Sequence, residues 1–262
     1  MTRASPQRFI PALVAAHRDS FAFLLACPLL AAVPVAVELI QHVVEVRLGM
    51  YDTIAQAKAV DGHPVRMAFG FAKVMSLAIT AYWVTRWLAW DDPARAGRWD
   101  GRAARLFAGV IAFQAVVTAV QLFLLPRTGP ALAGGFAFGA VSGPLLVAWG
   151  AAAALGNAAI GPLGSVRLMA LRFGWTLAYM LVVLLPLMVV HYALGAAALL
   201  GPKPLLWPAL VADALVVGWL AALMPASGWI AALRAARLRG VELDGGSARV
   251  GAGQDDALRS PA

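Results

Sequence analysis

The sequence predicts an all-α transmembrane helical bundle, and its composition is the first indication. Of 262 residues, 61% are hydrophobic and 13% are charged, and the mean hydropathy is +0.77. A soluble domain is about half apolar and about a quarter charged, so this chain has too few polar side chains to cover a water-facing core. The abundance of Leu, Val and Ala also excludes a disordered chain. The class that remains is a polytopic membrane protein.

Apolar runs of membrane-spanning length are the second indication. A hydrocarbon core of roughly 30 Å needs about 20 residues of helix. Helices are expected because lipid cannot satisfy exposed backbone groups, and the runs lack the alternation of a membrane barrel. About six spans are predicted, at 21–44, 67–87, 106–125, 131–155, 168–192 and 205–224. They form one predicted domain, 1–240, followed by a disordered tail, 241–262, which lacks an apolar face.

The distribution of Lys and Arg predicts the orientation of the bundle. The chain holds 21 Lys and Arg against 13 Asp and Glu. With the six spans in place, fifteen of these cations lie on one side of the bilayer and five on the other, and Lys73 lies within a span. Cytoplasmic loops retain Lys and Arg, so both termini are predicted in the cytoplasm of a multi-pass inner-membrane protein. The same rule accounts for the basic excess, and no nucleic acid partner is expected.

Amphipathic segments are predicted at both ends of the bundle. After the last span, the apolar residues Trp229, Ile230 and Leu233 alternate with Arg234 and Arg237 at helical spacing. This pattern is typical of a short helix that lies on the inner leaflet. Residues 8–16 are predicted to form a second helix of this kind.

A glycine repeat in the fourth span predicts close helix packing. Gly135, Gly139 and Gly143 recur every four residues and therefore share one helical face. Glycines on one face let a neighbouring backbone approach closely in a membrane. Another span of the same bundle is the expected neighbour, and the seam of a homodimer is the alternative.

The most informative stretch is a polar face at the outer end of the first span. Glu38, Gln41, His42 and Glu45 stand at offsets of zero, three, four and seven, which places them on one side of a helix. Four charged or hydrogen-bonding side chains on one face are unusual in an apolar run of this length. They mark this end of the bundle as the candidate ligand-binding region.

Three further ionisable residues are predicted at the same end. His191 ends the fifth span, Lys73 lies about six residues, or roughly 9 Å, into the second, and Asp213 lies near the middle of the sixth. A charge at such depth costs a few kcal/mol, so it should face the bundle interior and have a partner. The predicted partner of Lys73 is Asp213 or Glu38.

This polar cluster has two main interpretations. In the first, these residues line an outward-facing cavity that binds a cation, a proton or a polar head group. In the second, Glu38 and His42 merely occupy the head-group layer, and Lys73 is neutralised by one buried acid. A metal set of Glu38, His42, Glu45 and His191, or a haem held by His42 and His191, are further alternatives. No second ligand-rich motif completes a coordination shell, so neither a metal nor another cofactor is predicted.

Catalytic motifs are sparse. The segment Asp100 to Arg105 resembles the DGxxAR fragment of the CDP-alcohol phosphotransferases, but Gly97 stands where those enzymes have an aspartate. The following span, 106–125, also lacks their two further aspartates. The single cysteine, Cys27, excludes an internal disulfide and any multi-cysteine metal site. No residue is therefore assigned a catalytic role.

Three functions from different classes are compatible with these observations. The preferred one is a non-enzymatic membrane component that packs against lipid or a partner. The second is a permease that takes a small solute or a proton into the outer polar cavity. The third is a lipid-modifying enzyme that uses the outer carboxylates and histidines as acid and base. The bilayer is the one expected partner, and a second copy or another membrane protein is an open alternative.

Overall fold

The computed structural model describes residues 8–244, and all regular secondary structure in that range is helical. In chain order the helices are α1 (Phe9–Ala26), α2 (Pro28–Arg47), α3 (Ile54–Val60), α4 (Pro64–Trp90), α5 (Pro93–Gly97), α6 (Gly101–Ala119), α7 (Gly129–Ala154), α8 (Pro162–Met169), α9 (Phe173–Leu200) and α10 (Leu206–Leu238). A π-helical turn, Val120–Leu124, extends α6. Seven helices are long and apolar enough to cross a membrane: α1, α2, α4, α6, α7, α9 and α10. The predicted helical bundle is confirmed. Positions 245–262 of the predicted tail lie outside the described residues.

The predicted first span, 21–44, is wrong, because two helices share it. Cys27 has φ −131° and ψ 56°, outside the helical region, and separates α1 from α2. The break follows from Pro28, whose ring disfavours helical backbone at the residue before it but suits the first position of a new helix. The predicted interfacial helix at 8–16 is the first half of α1. The structure thus contains one long apolar helix more than the six spans predicted.

Helix α10 is the centre of the bundle. It packs against α1, α2, α4, α7 and α9. In its most apolar stretch of 18 residues, 61% is buried inside the protein, against at most 33% in the corresponding stretch of any other candidate span. The predicted separate amphipathic helix after 224 is wrong, because α10 continues unbroken through that segment. Ile230 and Ala236 are buried in the core. Arg234 stacks on the Trp175 ring at 3.9 Å rather than facing a lipid surface.

A glycine in α10 sets the distance between α10 and α2. A Cβ atom on Gly218 would clash with Cγ2 of Val35 and would lie 3.7 Å from the carbonyl oxygen of Ala31. Valine is stiff at χ1 and cannot move aside easily. Only glycine therefore allows α2 and α10 to approach this closely, and the approach holds the polar face of α2 against α10.

The predicted glycine seam does not pack inside the bundle. A Cβ atom on Gly139 or Gly143 would meet nothing within 4 Å in the described chain, and one on Gly135 would meet only the Gln121 side chain, at 3.7 Å. The expectation of a neighbouring span at Gly139 and Gly143 is therefore wrong. Helix α7 instead packs through its last turns, where Ala148 and the following alanines are buried. A homodimer seam on this face stays a prediction.

Candidate functional site

A cavity of about 300 Å³ lies at one end of the bundle, where α2 and α9 end and α4 and α10 begin. Its walls come from these four helices and from the α2–α3 connection. All six residues of the predicted ligand-binding cluster line it: Glu38, His42, Glu45, Lys73, His191 and Asp213. The structure therefore brings the predicted residues together from four separate helices. That they bind a ligand stays a prediction.

The polar face of α2 supplies the floor of the cavity. Glu38, Gln41, His42 and Glu45 are all buried, with 1%, 5%, 5% and 2% of their surface exposed. They point inward because α2 packs on both α4 and α10 along this face. Their side chains therefore face the interior of the protein rather than its surface.

His42 lies between carboxylates on both sides of its ring. Its Nδ1 is 3.1 Å from Oε2 of Glu45, and its Nε2 is 3.1 Å from Oδ2 of Asp213 and 3.6 Å from Oε1 of Glu38. A carboxylate accepts hydrogen bonds, and a neutral imidazole has a single N–H to donate. A neutral His42 therefore satisfies one side only. A second proton, or another cation, satisfies the Asp213 and Glu38 side.

Asp213 is held by two histidines. His191 Nδ1 lies 2.6 Å from Oδ1 of Asp213, and His42 takes the other oxygen. The predicted haem through His42 and His191 does not fit this arrangement, because both imidazoles converge on one carboxylate. Lys73 pairs with Glu38, at 3.1 Å between Nζ and Oε1, which confirms one of its two predicted partners.

Two of the residues that hold Glu45, Tyr51 and Arg66, were not assigned to the site by sequence reasoning. The Tyr51 hydroxyl donates to Oε2 at 2.7 Å, while Gln41 Nε2 and Arg66 Nε donate to Oε1 at 3.0 and 2.9 Å. Tyr51 lies in the connection after α2, and its carbonyl accepts from Lys203 Nζ at 2.9 Å. Burial and the adjacent Glu45 carboxylate raise the pKa of Tyr51, so its hydroxyl stays protonated and donates.

The cavity has more acceptors and negative charge than donors and positive charge. Three carboxylates, from Glu38, Glu45 and Asp213, face two permanent cations, Lys73 and Arg66. Two buried acceptor atoms, Oε2 of Glu38 and Oε1 of Gln41, have no hydrogen-bond partner in the described part of the chain. With both histidines neutral, the site carries one excess negative charge, which a proton on His42 or another bound cation would balance.

Three of these residues have the geometry of metal ligands. One ligand atom each from Glu38, His42 and Asp213 lies within 4.8 Å of the other two, and all three residues are buried. The alternative set from the sequence differs, because Glu45 contacts His42 at Nδ1 and His191 contacts Asp213 at Oδ1, away from the atoms that these three residues direct at one another. His63 lies elsewhere: its Nδ1 accepts from the backbone N–H of Val65 at 3.3 Å and caps α4.

No protein-family model, no curated protein and no solved structure matches this chain.

Proposed function

We propose that this protein is a permease-like inner-membrane protein that takes a proton or a small metal cation into the cavity at the end of α2. One observation carries the proposal. Seven acidic, basic or imidazole side chains from four helices converge on a single cavity of about 300 Å³, and four of them are nearly completely buried. This conclusion replaces a passive packing role, which the sequence alone favours.

The energetic cost of the cluster supports a role beyond packing. A charged side chain in the centre of a membrane costs roughly 3 kcal/mol even on insertion scales. Ion pairs buried in a bundle return little of this cost, and apolar residues of similar volume often stabilise a fold better. Ionisable residues inside a membrane bundle therefore mark ion or proton pathways by default. Here three carboxylates and two imidazoles share one cavity.

The position of α1 supports an orientation with both termini in the cytoplasm. Near its start, the carbonyl of Ala12 accepts from the Tyr179 hydroxyl at 3.1 Å, in the second turn of α9. Near its end, Phe23 packs on Trp87, in the last turn of α4, with ring centroids 6.0 Å apart. The start of α9 and the end of α4 belong to the same end of an antiparallel bundle. In this proposal α1 lies across that arginine-rich end, six helices cross the bilayer, and the cavity opens on the opposite side.

Cation flux through reconstituted protein tests the proposal. Full-length protein is placed in liposomes that enclose either a pH-sensitive dye or a metal-sensitive dye, and a potassium gradient with valinomycin provides the driving force. We expect uptake of protons, or of Zn²⁺ or Mn²⁺, at a rate that Asp213→Asn lowers at least about tenfold. Asp52→Asn is the matched control, because Asp52 is exposed and lies outside the cavity.

Two results would contradict the permease assignment. One is a flux equal to that of empty liposomes for every probe, measured with folded protein. This result would favour a packing role in the membrane instead. The other is an equal flux for the wild type and Asp213→Asn, because the permeating ion would then bypass the cavity.

A further inference from the structure

We propose that Glu38, His42 and Asp213 together bind one divalent first-row metal ion, with zinc as the best match. This inference names the ligand of the cavity and in that sense rests on the proposed function. The three residues come from two helices, α2 and α10, whose close approach at Gly218 fixes their separation. One imidazole and two carboxylates, with an open side toward a cavity, suit zinc, iron or manganese.

The interatomic distances suit a single metal centre. Zinc binds nitrogen and oxygen at roughly 2.0–2.2 Å in a tetrahedron, so neighbouring ligand atoms lie roughly 3.3–3.6 Å apart. In the structure His42 Nε2 is 3.1 Å from Oδ2 of Asp213, and a carboxylate oxygen of Glu38 lies within 4.8 Å of the ligand atoms of both residues. Small movements of flexible carboxylates are enough to form the site. The cavity leaves the fourth position to water or solute.

The contacts around His42 prepare it as a ligand. Metal-binding histidines commonly donate their second ring N–H to a carboxylate, which fixes the ring and the nitrogen that faces the metal. Glu45 takes this role at Nδ1, at 3.1 Å, and Tyr51 in turn donates to the same Glu45 oxygen at 2.7 Å. His42 then presents the lone pair of Nε2 to Asp213 and Glu38. Without a cation this lone pair faces only acceptors.

A buried atom without a partner points to the same ligand. Glu38 is 1% exposed and lines the cavity, yet its Oε2 has no hydrogen-bond partner in the range 8–244. Its other oxygen is held by Lys73. The two oxygens of Asp213 differ in the same way: Oδ1 contacts His191, and Oδ2 is directed to His42. Each carboxylate is thus oriented by one partner and keeps an oxygen for the metal.

Metal content of the full-length protein is the test. The protein is purified in detergent through a tag that contains no histidine, stripped with EDTA and dialysed against ZnCl₂. We expect one zinc ion per chain by mass spectrometry, and X-ray absorption with a single imidazole among oxygen donors. Co²⁺ titration followed by visible absorption should show affinity at least about 100-fold lower for His42→Ala and Asp213→Asn. Tyr51→Phe, which removes the hydroxyl that donates to Glu45 and lies 3.4 Å from His42 Nδ1, should weaken binding about tenfold.

His63→Ala is the matched control, since it removes a histidine that caps α4 and lies outside the cavity. It should bind Co²⁺ as the wild type does. Folded wild type that retains no stoichiometric zinc, iron or manganese overturns the inference. So does a spectrum with two or more imidazoles, or His42→Ala with wild-type affinity. If the site variants fail to fold, zinc content and absorption spectrum of the wild type decide the question.

The two proposals fail separately. Stoichiometric zinc without cation flux in liposomes keeps the metal site and removes the permease role. Proton flux that depends on Asp213, in protein that binds no metal, keeps the permease role and removes the metal site.

Discussion

Replacing Lys73 with methionine should destabilise the protein strongly, because it removes the ammonium group that donates to Glu38. The side chain of Lys73 is 21% exposed and that of Glu38 is 1% exposed, so solvent compensates little for the lost pair. Glu38 Oε2 already lacks a partner among residues 8–244, and His42 Nε2 lies 3.6 Å from Oε1, beyond a hydrogen bond. Loss of one partner of a buried pair costs about 3–5 kcal/mol. We expect the lower end, about 3 kcal/mol, because Lys73 borders the cavity.

Equilibrium unfolding in mild detergent, with SDS as denaturant, measures this cost. Lys58→Met is the matched control: Lys58 is exposed on α3, and its replacement should change the free energy of unfolding by less than about 0.5 kcal/mol. The double variant Lys73→Met with Glu38→Leu should recover most of the loss, since no unpaired charge remains. Wild-type stability for Lys73→Met, or a double variant no more stable than the single one, would refute this reasoning.

Two further predictions concern the packing that positions the site. Gly218→Val should lower the free energy of unfolding by about 1–3 kcal/mol, because the new side chain would clash with Val35. Gly139→Val is the control and should change it by less than about 0.5 kcal/mol. Equal effects of the two substitutions would contradict the close approach of α2 and α10. Arg86→Met should lower the free energy of unfolding by at least about 2 kcal/mol in the same assay, because Arg86 is 2% exposed and donates to three backbone carbonyls. An unchanged free energy of unfolding would show that these hydrogen bonds contribute nothing.

The polar cluster could be predicted because its signal is local. The spacing of Glu38, His42 and Glu45 fixes a common face on any helix. The depth rule for buried charge then placed Lys73 and Asp213 inside the bundle. Tyr51 could not be found in this way. It reaches Glu45 because the chain turns back after α2 at Gly49, which has φ +75°, and helical periodicity does not describe that turn.

The errors in the fold also have physical causes. A window of about 20 residues averages over the single non-helical residue Cys27, although Pro28 marks the start of a new helix. Periodic glycines in α7 identified a face but not its neighbour, because the choice of neighbour is a tertiary property. The close contact occurs instead where Ala214, Gly218 and Ala222 repeat every four residues along α10, and all three are buried. That pattern was present in the sequence and is equally typical of close packing.

Chemical access to the cavity tests the central claim most directly. In a Cys27→Ala background, Ala196→Cys places one thiol on the cavity wall. A cationic, membrane-impermeant thiosulfonate added to intact cells should react at least about tenfold faster than its anionic counterpart, since the negative cavity attracts cations. Asp213→Asn should reduce this ratio. Equal rates for both reagents, or no reaction with either from outside, would contradict a water-reachable cation site on the side opposite to the termini.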